Sequence, residues 1–128
     1  DFLLGVCESW MTPALFLSVT FIAGAVISFF TGSSWGTFAI CIPIAVPMAY
    51  SFTGGQLGTL VYAAVGAVVS GGLFGDHCSP VSDTSVLSSL GAACDHIDHV
   101  RTQLPYALLA AAVSIILWVV VALVGGAA

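Results

Sequence analysis

The sequence is nearly devoid of charge. Only 5% of its 128 residues are Asp, Glu, Lys or Arg, and Arg101 is the one basic residue of that set. A soluble domain is usually about a quarter charged, so this composition excludes a water-exposed surface. A single arginine cannot neutralise a phosphate backbone, which excludes nucleic acid as a partner. With 59% hydrophobic residues and a formal charge of −5, the chain is predicted to be an integral membrane protein.

Further absences narrow the function. The chain begins DFLLGVCESW, without a methionine or a basic stretch, and it ends in an apolar run. We therefore expect a piece of a larger polytopic protein and no signal peptide. No G-x-S-x-G elbow, phosphate-binding loop or H-E-x-x-H string occurs, so an enzyme is not expected. No disulfide framework is visible in the spacing of the cysteines, which are Cys7, Cys41, Cys78 and Cys94.

What the chain does contain is a series of apolar runs, which predict an all-α integral membrane fold. Thr12 and Pro13 are typical of a helix start, and Gly32 is typical of a helix end. Small residues recur every four positions up to Gly71, a stripe that suits close helix contact in lipid. The predicted single membrane domain, 1–128, divides into 12–30, 37–52, 56–93 with a break at 75–84, a polar loop at 94–103 and a span at 104–124.

The link between the first two runs, TGSSWG at 31–36, carries no charge, which is unusual for a loop in water. Non-helical backbone at membrane depth is tolerated only where protein buries it or a wet cavity solvates it. The link therefore predicts a re-entrant hairpin with a hydroxyl-bearing tip. Two full spans joined by a short external turn are the alternative.

The stretch GGLFGDHCSPVSDTSVLSS, residues 71–89, interrupts the apolar sequence with two aspartates, a histidine and several hydroxyls. Pro80 stops a helix from continuing through it. The apolar run that follows is about nine residues long and rises only about 14 Å, less than half a bilayer. This pattern predicts a discontinuous, broken membrane helix.

The break collects the ligands that a hard monovalent cation prefers: hydroxyls, carboxylates and the carbonyl groups of a helix end. Burial disfavours the ionised form of a carboxyl group, so a buried carboxylate can exchange a proton for a cation. We expect Asp83 to be the carboxylate shared by cation and proton, and Asp76 to tune protonation, with His77 as proton relay or pH modulator. The predicted cation- and proton-binding residues are Asp76, Ser79, Ser82, Asp83 and Thr84, with Na⁺ at Ser79, Ser82 and Asp83.

Each of these residues also has a purely structural interpretation. Asp83 could cap the fourth segment, and Asp76 could lie at an interface with its charge in water. His77 could be a hydrogen-bonded structural histidine. A second polar cluster, 94–103, offers zinc ligand types in Cys94 and its two histidines, joined by His77 or Cys78. Its spacing matches no standard zinc site, so an interfacial loop is favoured there.

Three strings, FFTGSSWGTFAICIPIA, GDHCSPVSDT and CDHIDHVRTQLPYA, resemble the NhaC-type Na⁺/H⁺ antiporter family, part of an ion transporter superfamily built from inverted repeats. The resemblance spans about residues 20–112. It implies a C-terminal-half fragment that holds one repeat, with the other half of the cavity supplied by an absent first repeat. It also implies that the hairpin tip lines a substrate cavity together with the broken helix; the tip residues are Thr31, Gly32, Ser33, Ser34 and Gly36.

The resemblance implies secondary active transport, Na⁺/H⁺ antiport, in a bacterial or archaeal cytoplasmic membrane. A Na⁺-coupled malate/lactate-type organic anion exchanger of the same fold is the runner-up, and a non-transporting membrane scaffold with a structural metal site is a third hypothesis. No cofactor is expected beyond the transported Na⁺ and H⁺. The expected partners are the lipid bilayer, these ions and the missing N-terminal half, and a homodimer is left open.

Overall fold

The computed structural model describes residues 11–125, and within that range the chain forms five helices and no strands. Cys7 and the opening of the chain lie outside the described residues. The helices are α1 (Pro13–Thr31), α2 (Ser34–Phe52), α3 (Thr59–Cys78), α4 (Asp83–Gly91) and α5 (His96–Gly125). All of them except α4 are long and apolar enough to cross a membrane. The predicted all-α membrane fold is confirmed.

Helix α1 begins and ends as its terminal residues dictate. Thr12 caps its start by accepting the N–H of Leu15 at 3.4 Å, and Pro13 occupies the first helical position. At its end Gly32 adopts φ +66° and donates its N–H to the carbonyl of Ser28 at 2.8 Å. Only 32–33 separate α1 from α2, because Ser33 already caps α2 by accepting the N–H of Gly36.

Helices α1 and α3 form the closest seam in the fold. A Cβ added at Gly71 would overlap the carbonyl oxygen of Phe21, and one at Gly75 would overlap that of Ala25. The small-residue stripe therefore does bring two helix backbones together, as its spacing predicts. The hydroxyl of Ser28 reinforces the seam by donating to the carbonyl of Gly72 at 2.6 Å.

Several predicted bounds differ from the structure. Helix α2 begins at Ser34, inside the predicted tip at 31–36, and α3 begins at Thr59 rather than at 56. Helix α3 continues to Cys78, so the non-helical link covers only 79–82, rather than 75–84. Helix α5 begins at His96, so most of the expected polar loop at 94–103 is helical. The cause is Asp95, whose Oδ1 accepts the N–H groups of Ile97 at 2.9 Å and Asp98 at 3.2 Å and so caps the helix.

Candidate functional site

The side chains of the 79–82 link, between α3 and α4, determine its conformation. Pro80 has no N–H to offer a continuing helix, and the hydroxyl of Ser79 accepts the N–H of Val81 at 3.2 Å. Ser82 ends the link as the N-cap of α4, its hydroxyl accepting the N–H of Thr84 at 3.3 Å. Pro80 and Val81 thus form a turn between the two helix ends, and the Ser82 N–H closes it by donating to the Ser79 carbonyl at 3.4 Å.

A buried carboxylate meets two hydroxyls at this link, and we name Asp76, Ser82 and Thr84 the Asp76 cluster. Asp76 lies in the last turn of α3 and is 8% exposed. The hydroxyl of Ser82 donates to its Oδ1 at 2.7 Å, and the Thr84 hydroxyl lies 2.7 Å from that of Ser82. Because the single proton of Ser82 goes to Asp76, Thr84 must be the donor in the second bond. Both hydroxyls therefore point their protons towards the carboxylate.

Asp83 and Ser79 do not join this cluster. Asp83 is the first residue of α4 and is exposed, and its side chain has no hydrogen bond within the described part of the chain. Ser82 caps the helix instead, so the alternative role of Asp83 as the cap is not the arrangement observed. Ser79 is fully buried, and its hydroxyl donates to the carbonyl of Phe29 at 2.6 Å. Of the three residues predicted to hold Na⁺, only Ser82 contacts the buried carboxylate.

The tip of the α1–α2 hairpin adjoins the link. A Cβ at Gly32 would stand 2.8 Å from the carbonyl oxygen of Val81. The tip hydroxyls, however, are used within the hairpin: that of Thr31 donates to Ile27 at 2.9 Å, and that of Ser33 caps α2. Ser34 is buried at 6% exposure. The predicted proximity of tip and break is present, while Thr31 and Ser33 direct their hydroxyls elsewhere.

The first turns of α5 hold the link from its other side. His96 Nε2 lies 2.7 Å from the carbonyl oxygen of Pro80, and its Nδ1 lies 3.2 Å from the hydroxyl of Ser89. The amide nitrogen of Gln103 donates to the carbonyl of His77 at 3.0 Å and also contacts the Nε2 of that imidazole. These two carbonyl groups are therefore already bonded, and they are not the free cation ligands that an unwound backbone suggests.

Sequence reasoning missed His96 and Gln103 as residues that hold the site. Both lie in the polar run that was interpreted as a loop. Their spacing is a usable signal, since His96, His99 and Gln103 stand three and four residues apart and share one face of a helix. The same run does not assemble a zinc site: residues 11–125 contain no group of three or more His, Cys, Asp or Glu that could hold a metal ion.

Comparison with known proteins gives a consistent result. The model of the Na⁺/H⁺ antiporter family matches residues 2–123. The chain is 51% identical over 110 residues to an uncharacterised protein of Haemophilus influenzae, a match covering 85% of this chain and 20% of that protein.

Several relatives carry functional names. The chain is 36% identical over 114 residues to the malate-2H⁺/Na⁺-lactate antiporter of Bacillus subtilis, covering 89% of this chain and 23% of that protein. It is 32% identical over 113 residues to the Na⁺/H⁺ antiporter NhaC of Alkalihalophilus pseudofirmus, covering 88% and 23%. The chain thus spans about a fifth of the length of the curated relatives it matches. No solved structure matches it.

Proposed function

The chain belongs to the Na⁺/H⁺ antiporter family, and from this premise we propose that the protein carrying it exchanges Na⁺ for H⁺ at the Asp76 cluster. The family consists of transporters and not enzymes, and the chain is part of a multi-pass integral membrane protein. The observation that carries the proposal is the burial of Asp76 where a helix is interrupted, with its carboxylate bonded to the Ser82 hydroxyl and that hydroxyl bonded to Thr84.

The chemistry follows from a single negative charge. Burying a charged carboxylate costs free energy unless the charge is neutralised. A proton or a monovalent cation can neutralise it, but the two compete and do not bind well together. Ser82 donates to Oδ1 of Asp76, which leaves Oδ2 for the cation. The carboxyl end of α3 adds partial negative charge from its last carbonyl groups. Binding of Na⁺ then displaces the proton, and binding of the proton displaces Na⁺, which is the minimal requirement for exchange.

In this proposal Asp76, rather than Asp83, is the carboxylate shared by the two ions. The exposed side of α4, with Asp83, would face the part of the protein that lies outside this chain, and that part would complete the cavity. The cytoplasmic membrane of a bacterium or archaeon is the proposed location, since the named relatives are prokaryotic proteins.

A second candidate function is Na⁺-coupled exchange of organic anions, because one relative is named a malate-2H⁺/Na⁺-lactate antiporter. An anion site buried in a membrane needs cationic donors. The only Lys or Arg of this chain is Arg101, which is exposed on α5 and has no contact with the Asp76 cluster. Any cationic partner for an anion at this site would have to come from outside the chain, so Na⁺/H⁺ exchange is the better supported function.

The test is ion flux through the full-length protein in proteoliposomes. A pH gradient is imposed, and Na⁺ is added with and without malate to wild type, Asp76→Asn, Asp83→Asn and Asp98→Asn. Asp98→Asn is the matched control, because it removes the same charge from an exposed carboxylate on α5.

The expected result is that Na⁺ alone dissipates the gradient in wild type and Asp98→Asn but not in Asp76→Asn. Loss confined to Asp83→Asn would move the shared site to that residue. Dissipation that requires malate would establish the second candidate function instead. An Asp76→Asn protein that responds to Na⁺ like wild type would contradict the proposed role of the cluster.

A further inference from the structure

A polar cleft of about 470 Å³ lies beside the Asp76 cluster, between the end of α3, α4 and the first turns of α5. All of the side chains that line it are polar: His77, Thr84, Ser85, Ser88, His99 and Gln103. A neighbouring cleft of about 490 Å³ between α3 and α5 shares His77 and Gln103 but is lined mostly by apolar residues. Two further clefts in the described part of the chain contrast more sharply. One between α1, α3 and α5 is lined by aliphatic and aromatic side chains with Cys78, and one on the outer face of α1 is lined by aliphatic side chains alone.

Thr84 belongs to both the cleft and the cluster. Its hydroxyl lies 2.7 Å from that of Ser82, which in turn lies 2.7 Å from Asp76 Oδ1. Two short steps therefore connect the cleft to the buried carboxylate. Because Ser82 is fully buried and Thr84 is exposed, Thr84 stands at the boundary between the two compartments.

Unpaired polar side chains indicate what fills the cleft. The Ser88 hydroxyl and the His99 imidazole line it and make no hydrogen bond within residues 11–125. Such groups are normally paired with protein or water, and lipid chains offer no hydrogen-bond partner. The cleft has room for several waters.

We infer that this cleft is the aqueous vestibule through which a hydrated monovalent cation reaches Asp76. The inference rests on the proposed function and adds a path to it. Hydroxyl oxygens and the imidazoles of His77 and His99 can hydrogen-bond the hydration shell of an entering cation. At Thr84 the cation exchanges water for protein oxygens and passes to the carboxylate.

The test is chemical accessibility in the full-length protein, in membranes. Ser88→Cys and His99→Cys place a thiol in the cleft, and Val26→Cys is the matched control. Val26 is 49% exposed in this chain but lines apolar clefts only. The probe is a methanethiosulfonate carrying a trimethylammonium group, and labelling at each position is read by mass spectrometry of peptides, so the native cysteines can stay.

Labelling of the two cleft variants is expected to be at least about tenfold faster than labelling of Val26→Cys, because the reactive thiolate forms in water and not in lipid. Na⁺, compared with choline, should slow labelling of Ser88→Cys, because a cation held in the cleft repels the cationic probe. The transport rate of Ser88→Cys, measured before and after labelling, should fall when the cleft carries the bulky cation.

Equal labelling of Ser88→Cys and Val26→Cys, labelling of Ser88→Cys that Na⁺ does not slow, or transport that survives complete labelling of Ser88→Cys would each overturn the inference. The labelling rates of the cysteine variants are measured by mass spectrometry and do not depend on transport activity. If the predicted labelling pattern appears without Na⁺-driven proton flux, the vestibule inference stands and the proposed Na⁺/H⁺ exchange is wrong. The two proposals can therefore fail separately.

Discussion

The backbone of Gly32 lies directly against the carbonyl of Val81, so closely that a Cβ on Gly32 would stand 2.8 Å from the oxygen. This contact joins the turn between α1 and α2 to the link between α3 and α4, two segments separated by nearly fifty positions of sequence. The position of the 79–82 link therefore depends on Gly32, a glycine in the α1–α2 hairpin.

Replacing Gly32 with alanine should destabilise the protein by more than the backbone strain alone. Alanine at φ +66° costs about 1–2 kcal/mol, and the clash with Val81 adds to it. Gly54→Ala is the control, because Gly54 has φ +65° and nothing within 4 Å. The midpoint of thermal unfolding in detergent should fall further for Gly32→Ala, and equal shifts would show that the contact with Val81 contributes nothing.

The hydroxyl of Ser79 should stabilise the fold rather than bind the cation. Ser79→Ala leaves the partly buried carbonyl of Phe29 without its donor and the Val81 N–H without its acceptor, which should cost about 1–3 kcal/mol of unfolding free energy. Ser114→Ala is the control, because that hydroxyl donates only to Ala110 in its own helix and its loss should cost less than about 0.5 kcal/mol. If Ser79→Ala instead weakens Na⁺ affinity at unchanged stability, Ser79 is a ligand.

The seam between α1 and α3 should tolerate no added methyl group. Gly75→Ala should cost about 1–3 kcal/mol or more, since the new Cβ meets the carbonyl of Ala25. Gly91→Ala in α4 has nothing within 4 Å and should be neutral or gain up to about 1 kcal/mol of helix propensity. Thermal unfolding of the two variants checks this, and a stable Gly75→Ala protein would mean that the helices are further apart than described.

The imidazole of His77 should carry its neutral-form proton on Nδ1. Gln103 presents an amide nitrogen to His77 Nε2, and that nitrogen can only donate, so Nε2 must accept. Nitrogen-15 spectra at alkaline pH can test this, since the chain has only three histidines. Gln103→Leu should abolish the preference of the His77 proton for Nδ1. Gln56→Leu, in the α2–α3 link, is the control and should leave that preference unchanged. A protonated Nε2 in wild type would refute the contact.

Much of the fold follows from local sequence. Thr12, Pro13 and Gly32 set the ends of α1 as predicted, because caps depend on a few neighbouring residues. The stripe ending at Gly71 correctly indicates close packing. The start of α5 was missed because Asp95 caps a helix whose first turns are polar, and polar turns resemble a loop when only hydropathy is considered.

The site was less predictable, because two aspartates seven positions apart look alike in sequence. Which of them is buried depends on which face of α3 meets its neighbours, and Asp76 follows directly after the interlocked Gly75. Asp83 begins a short helix whose orientation is decided by tertiary contacts, so nothing local marks it as exposed. The glycine positions in α3 indicate which face of the helix is buried, and the aspartates themselves do not.

The seam between α1 and α3 has a mechanical consequence. The backbones of α1 and α3 pack closely at Gly71 and Gly75. Hydrogen bonds from the hydroxyls of Ser28 and Ser79 add to this packing, so the two helices should move as one unit. Helix α5 meets α3 through side chains, and Trp118 Nε1 donates to the Ser70 hydroxyl at 3.2 Å. Any displacement of α3, and of Asp76 with it, must therefore carry α1 along.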